Sequence, residues 1–317
     1  MASTHGFFSV EGTVFATCEL GGHELEAMSR AFSALYRSFQ TDVIGRERCS
    51  PIKGMTYTWI DPPSGRSEHV CLFFHGGGYT MGSTDDHLQL IASLVEDSGI
   101  SFLGVDYRLC PNDCFPAALD DVEDAYRWLL AQGYRAEAIG TTGISAGATL
   151  VTQLLHRCKR KGLPMPAVAL VMAGVMDFSC GRESVAFNAN DDLVSLQRLE
   201  AISSHYLPED GSYDSRDLDC LQQDYRSYPR TLFQVGDREV LLSDAIACFS
   251  ILKTAGHDVA LPVVPGMIHC GQLFSREFTP GQRATAEAAL FLREGFVACN
   301  PSSVRGMGER KKQKTGH

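Results

Sequence analysis

Ala138-Ile139-Gly140-Thr141-Thr142-Gly143-Ile144-Ser145-Ala146-Gly147 reads as a short strand running into a narrow turn that holds one hydroxyl between two glycines. The next residues, Ala148-Thr149-Leu150-Val151-Thr152-Gln153-Leu154-Leu155, carry their apolar side chains on a helical stripe. The turn therefore lies at a strand-to-helix junction. Glycines on both sides let the backbone turn sharply and stand the serine oxygen proud of a sheet, with a helix N-terminus behind it that favours developing negative charge. A chain with 30 glycines can also produce this pattern as an ordinary helix N-cap.

A second glycine cluster, His75-Gly76-Gly77-Gly78-Tyr79, follows the apolar run Val70-Cys71-Leu72-Phe73-Phe74. Three glycines after a buried strand point to close approach of backbone N–H groups to an anion, here the oxyanion of an acyl-transfer intermediate. Around these two turns, strand and helix patterns alternate. Helices are expected at His87–Glu96, Pro116–Leu130, from the serine turn to Lys161, at Asp244–Thr254 and at Gln282–Val297. Strands are expected at Met55–Ile60, His69–Phe74, Ile100–Val105, Ala138–Thr142, Ala167–Met172, Thr231–Val235 and Val259–Val264. Such alternation implies an α/β fold with right-handed crossovers, a mostly parallel central sheet and helices on both faces. Residues 1 to 20 receive no firm assignment, and Glu24–Phe39 reads as an amphipathic helix that must cover something. Between Asp177 and Pro229 the alternation breaks, with one short helical candidate at Leu193–His205, so this stretch reads as an insertion over the sheet edge.

The chain has 317 residues, 44% hydrophobic and 21% charged, with a net charge of −10. That is the composition of a soluble globular protein, and its acidity excludes a general nucleic-acid binder. The basic end, Arg305 to His317, reads as a solvated tail. No apolar run of membrane-spanning or secretory length is present, which leads to the expectation of a cytoplasmic protein. Eleven cysteines without a Cys-x-x-Cys pair suit free thiols in a reducing compartment. No metal-ligand motif and no phosphate-binding loop occurs, so neither a metal nor another cofactor is expected.

In open parallel sheets, ligands bind beyond the carboxyl ends of the strands. Three such ends carry reactive residues: the serine turn, Gly236-Asp237-Arg238-Glu239-Val240-Leu241-Leu242, and Pro265-Gly266-Met267-Ile268-His269-Cys270. Their order is serine, acid, histidine. A lone histidine is often a satisfied core residue, but the loop position of His269 after the acid makes it a candidate base.

Together with Gly82-Ser83, Asp106-Tyr107-Arg108-Leu109 and Phe115-Pro116-Ala117-Ala118-Leu119, these motifs resemble the hormone-sensitive-lipase-like carboxylesterase branch of the α/β-hydrolase fold, from about Val70 to Val297. The resemblance implies a serine hydrolase that cleaves a small acyl ester or lactone through an acyl-enzyme. The implied nucleophile is Ser145, the base His269 and the acid Glu239, because in the family the acid is followed by any residue and then Leu, 30 residues before the histidine here (269 − 239). Asp237 remains the alternative acid, or a turn residue. The N–H groups of Gly77, Gly78 and Ala146 would hold the oxyanion. His75 is expected to brace the glycine loop, and His87, Tyr107 and Arg108 to be structural.

The resemblance also implies a small helical cap. Residues 1–50 and the insertion 178–225 would supply it, 51–177 and 226–300 would form the core, and 301–317 a flexible tail. Tyr79, Met81, Phe178, Tyr206 and Leu207 are the candidate pocket walls. The chain departs from the family at Ile144, where Asp or Thr is common, at Asn112, where Glu is common, and at Ser243, where a second Asp is common. An acyltransferase, thioesterase or lactone-forming enzyme using the same residues, or a non-catalytic receptor on the same fold, are the rival readings. The expected partners are a small-molecule ester, lactone or acyl-carrier substrate and a second copy in a homodimer.

Overall fold

The computed structural model describes residues 5–10, 13–18, 25–38, 45–50, 52, 54–208, 210–221 and 225–299. In chain order the elements are β1 (His5–Val10), β2 (Thr13–Cys18), α1 (Leu25–Arg37), β3 (Arg46–Cys49), β4 (Thr56–Ile60), β5 (Val70–Phe74), α2 (Leu88–Ser98), β6 (Ser101–Asp106), α3 (Ala117–Ala131), β7 (Ile139–Ile144), α4 (Ala146–Lys161), β8 (Val168–Met172), α5 (Glu183–Phe187), α6 (Leu196–Tyr206), α7 (Ser215–Leu218), β9 (Arg230–Gly236), α8 (Leu242–Thr254), β10 (Val259–Ala260), β11 (Val263–Val264) and α9 (Thr279–Cys299).

The strands from β3 onward form one sheet in the order β10-β9-β8-β7-β5-β6-β4-β3, with β11 also paired to β9. All pairings from β6 through β10 are parallel, and β4 and β3 close the other edge antiparallel. Every residue of β5 is buried because helices cover both faces of the sheet. Its side chains alternate between two cores. Val70, Leu72 and Phe74 pack with α3, α4 and α8, whereas Cys71 and Phe73 pack with α2 and α9. Each such aliphatic or aromatic side chain contributes roughly 1.5–3 kcal/mol of burial.

The structure differs from the sequence reading at the weakly patterned edges. β1 and β2 pair antiparallel in a region given no assignment, Val10 opposite Thr13, and neither run alone has enough apolar alternation to stand out. β3 is an exposed Arg-Glu-Arg edge strand; its charges protect the sheet edge and erase the apolar signal. The strand expected over Val259–Val264 is two strands of two residues, interrupted at Leu261-Pro262, where proline has no N–H for the ladder. Glu24, Phe39 and the tail 301–317 lie outside the described residues, as do the side chains of Leu25 and Met28.

The insertion is tied down by charge as well as packing. Arg157 of α4, buried, donates to Asp217 of α7 at 2.8 Å and to Glu123 of α3 at 3.3 Å, and also pairs with Asp120. The three carboxylates outnumber this one guanidinium, and Arg160 on Asp217 with Lys161 and Arg127 on Glu123 supply the remaining positive charge. Nine of the eleven cysteines, Cys49, Cys71, Cys110, Cys114, Cys158, Cys180, Cys220, Cys248 and Cys270, are free thiols. Among the described residues no helix is long and apolar enough to cross a membrane.

Candidate active site

Ser145 sits between β7 and α4 with φ 54° and ψ −124°, a backbone region that costs a non-glycine residue of order 1–3 kcal/mol. The strain falls on the serine itself. Its glycine neighbours serve close approach: a Cβ on Gly143 would lie 2.1 Å from the Gly147 carbonyl oxygen, and one on Gly147 would lie 2.0 Å from that of Phe74. The turn is pinned from behind, where Ser145 N–H donates to Met172 C=O at 2.9 Å.

His269 and Glu239 reach the same point from the loops after β11 and β9. The Ser145 Oγ is 3.0 Å from His269 Nε2, and His269 Nδ1 is 3.1 Å from Glu239 Oε2. Glu239 is fully buried, and its other oxygen accepts from Gly236 N–H at 2.6 Å. Burial pushes the Glu239 carboxyl well above its ordinary range, with the Gly236 N–H opposing, and pushes the His269 imidazole below its own. Each is the polar partner that offsets the other's desolvation. Asp237 is not in this cluster: it is exposed, and its Oδ1 accepts from Gly266 N–H at 2.8 Å, linking the two loops. It is a turn residue that bonds a neighbouring loop.

The glycine loop faces the serine from the end of β5. Gly77 has φ +119°, and a Cβ there would be 2.0 Å from Met81 C=O, so the path of the loop excludes a side chain. Two histidines hold the loop. His75 bonds Gly76 C=O through Nδ1 at 2.8 Å and stacks on Tyr107 at 4.1 Å, while the Tyr107 hydroxyl donates to the His75 carbonyl at 2.7 Å. His87 accepts from Gly76 N–H at 3.0 Å through Nε2 and bonds Ser83 C=O through Nδ1. These two contacts assign its tautomer. Burial pushes His87 down to about 3, consistent with a neutral acceptor. Expected only to be structural, it also lines the cavity.

A cavity of about 150 Å³ opens onto Ser145 and His269. Gly77, Gly78 and Ala146 line it, as do Tyr79 and Met81 among the expected walls. Phe178, Tyr206 and Leu207 do not. The Tyr206 ring stacks against Tyr79 at 3.6 Å and Phe178 stacks behind both, so these side chains back the wall, and Leu207 packs on the core. The wall proper is completed by Phe32 and Tyr36 of α1 and by Arg198, Ala201, Ile202 and His205 of α6. α1 is anchored by Arg37 Nε to Asp86 at 2.8 Å and by the Tyr36 ring against Phe274 at 5.6 Å.

Asp192 has no counterpart in the sequence reading. This buried carboxylate in the insertion accepts from His269 N–H at 2.7 Å, Leu193 N–H at 2.8 Å and Val240 N–H at 2.9 Å. It thus clamps the backbone beside both the histidine and the acid. Burial raises its carboxyl to about 6, with the backbone donors opposing. The only sequence signal was an Asn-Asp-Asp run in a polar insertion, which ordinarily marks a turn. At the three departures from the family, Ile144 lies in the core under the sheet, Ser243 Oγ accepts from Ser184 N–H at 3.0 Å, and Asn112 is exposed.

Comparison with known proteins agrees with this architecture. Residues 71–273 match the family model described as alpha/beta hydrolase fold. An esterase of Acinetobacter venetianus is 33% identical over 68% of this chain and 72% of its own, and an acetyl-hydrolase of Streptomyces hygroscopicus is 32% identical over 75% and 79%. Among solved structures, an esterase from the bacterial hormone-sensitive lipase family superposes with a TM-score of 0.82 at 34% identity, covering 87% of this chain and 93% of that one. The chain belongs to the α/β-hydrolase fold family, in its hormone-sensitive-lipase-like carboxylesterase branch, and is a carboxylesterase-type serine hydrolase.

Proposed function

We propose that Ser145, His269 and Glu239 form the catalytic triad of an esterase acting on a small acyl ester or lactone, with water as the acceptor. The observation that carries this reading is the continuous chain of contacts from Ser145 Oγ through both imidazole nitrogens to a buried carboxylate, at 3.0 Å and 3.1 Å. In the first step His269 Nε2 takes the serine proton as Oγ attacks the ester carbonyl, while Glu239 keeps the other proton on Nδ1 and stabilises the imidazolium. The imidazolium then protonates the departing alcohol. Water, deprotonated by the same nitrogen, releases the acid.

The oxyanion would rest on the N–H groups of Gly77, Gly78 and Ala146, each such donor being worth roughly 3 kcal/mol. Ala146 begins α4, so the helix dipole adds to its donor. We further propose that α1 and the insertion 178–225 act as the cap. Its apolar side chains would exclude water and strengthen the electrostatics of the charged intermediate.

Labelling by a fluorophosphonate probe, with release of one equivalent of acid per ester in water, tests the reading. Ser145→Ala must abolish the label. If added alcohol captures most of the acyl group at the expense of water, the acceptor is not water and the enzyme is a transferase.

A further inference from the structure

The wall of the cavity carries one charge that the chemistry at Ser145 does not use. Arg198 lies on α6, and Arg198, Ala201, Ile202 and His205 repeat at the spacing that puts them on one helix face, and all four line the cavity. Its side chain is half-buried. Among the described residues no carboxylate or carbonyl accepts from its guanidinium, although its backbone N–H bonds the Ser195 cap. The other buried or half-buried arginines are matched: Arg157 by Asp217, Arg230 by Asp258 and Glu294, and Arg182 by Asp177. Arg198 is unlike them.

Its position in the fold is also unfavourable to a cation. Arg198 is in the first turn of α6, where the helix macrodipole favours negative charge, and the cavity it lines also carries the apolar side chains of Phe32, Leu199 and Leu273 and the ring of Tyr36. A guanidinium held partly out of water without a counter-ion loses hydration that nothing in the protein replaces. The carboxylates nearest the histidine are already committed: Glu239 to His269 and Gly236, Asp192 to three backbone N–H groups. His205 likewise spends its Nδ1–H on Ala201 C=O. The charge of Arg198 nevertheless reaches the reaction centre, where it adds to the burial that lowers the His269 imidazole and opposes the burial that raises the Cys270 thiol.

We propose that Arg198 is a specificity residue that selects esters bearing a carboxylate, the guanidinium pairing with that carboxylate while the ester carbonyl lies at Ser145. The inference rests on the serine-esterase reading above. A planar guanidinium accepts a carboxylate through two parallel hydrogen bonds, and in an apolar wall such a pair is stronger than at an exposed surface. The substrate class is therefore a monoester of a dicarboxylic acid, or an ester whose alcohol carries the carboxylate. The carbonyl carbon is attacked and its alcohol leaves as in any ester, so the carboxylate takes no part in bond making.

The test compares matched pairs in the full-length protein. On the acyl side, mono-p-nitrophenyl adipate is set against p-nitrophenyl hexanoate, in which a methyl group replaces the carboxylate. On the alcohol side, the butyryl ester of 4-hydroxybutyrate is set against butyl butyrate by titration of released acid. In the wild type, kcat/KM for the charged member of one pair should exceed that of its neutral partner, and the excess should shrink as ionic strength rises. Arg198→Met should lower the charged-to-neutral ratio by on the order of 10- to 100-fold, mainly through KM, and Arg198→Lys should restore part of it. If the wild type prefers the neutral member of both pairs and the ratios do not change in either variant, the proposal is overturned. Should Ser145→Ala still hydrolyse these esters, it is the esterase reading itself that fails; a ratio indifferent to Arg198 in an enzyme that needs Ser145 removes this inference alone.

Discussion

The floor and the roof of the cavity are built by different physics. The floor is backbone: the serine turn, the glycine loop and the two loops after β9 and β11 are fixed by close contacts of carbonyls with glycine and by hydrogen bonds of 2.6–3.1 Å between buried groups. The roof, α1 and α6, is held by side chains, with Phe32, Tyr36 and Ile202 packing over the floor and Arg37 reaching Asp86 at the rim. A floor of this kind cannot shift by an ångström without breaking several contacts. Side-chain packing can re-form around a different occupant. Rate should therefore reside in the floor and selectivity in the roof.

The largest effects that can break this division come from the three residues of the proposed triad. Ser145→Ala and His269→Ala should each lower kcat by up to about 10⁶, and Glu239→Gln by about 10⁴, with the fold intact by circular dichroism. Asp237→Asn should leave turnover within about threefold, since an exposed turn residue is being exchanged for a near-isostere. Reversal of the last two results would move the acid to the other carboxylate.

Next comes the loop. Gly77→Ala puts a Cβ against Met81 C=O at a φ of +119°, so the loop must move and with it the N–H groups proposed to hold the oxyanion. A loss of roughly 10²–10³ in kcat with little change in KM is expected, the loss seen when one oxyanion donor is removed. A rise in KM alone would mean that the loop binds ground state and transition state equally.

Asp192, four residues before α6, joins the two regions by holding the backbone of the floor. In Asp192→Asn the side chain keeps one acceptor oxygen, so one of the three backbone N–H groups loses its partner, an effect of about 1–3 kcal/mol and hence roughly 5- to 150-fold in kcat. The pH profile separates positioning from plain destabilisation. As the proposed base, His269 works only when neutral, and burial has lowered its pKa, so the acid limb of kcat/KM should lie below 6.5. The Asp192 charge raises that pKa and the Arg198 charge lowers it. Arg198→Met should thus move the limb to higher pH, and Asp192→Asn should move it to lower pH to the extent that it lies above about 6, where Asp192 is charged. Limbs that move together, or not at all, would remove both side chains from the electrostatics of the histidine.

The same division explains what could be read before the structure. The floor was legible because backbone geometry demands particular residues: glycine where a Cβ would collide at 143, 147 and 77, and reactive side chains at the ends of strands whose apolar runs are unmistakable. The Leu196–Tyr206 helix is also legible, as the short helical candidate at Leu193–His205. Its inward face is not, because whether Tyr206 or Ile202 meets the cavity depends on the angle at which the helix lies across the sheet, a tertiary property. That is why Tyr206 is expected in the wall and stands behind Tyr79 instead. Asp192 was hidden for a related reason. A carboxylate that caps loops from 48 and 77 residues away has no local pattern.

The smallest effect belongs to the roof and sharpens the contrast most. Ile202 rests on the glycine loop so closely that a Cβ on Gly78 would lie 2.7 Å from its Cδ1. Ile202→Ala removes methyl groups worth about 0.8 kcal/mol per buried carbon from the wall beside the reacting carbonyl. Across p-nitrophenyl esters of rising acyl length, KM for the acetyl and butyryl esters should rise by about 3- to 10-fold, with kcat within about twofold, because the lost contact serves ground state and transition state alike. Longer acyl chains should refill the space and recover the loss. If kcat for the acetyl ester falls 100-fold or so at unchanged KM, Ile202 is shaping the glycine loop itself, and the separation of a catalytic floor from a selective roof does not hold.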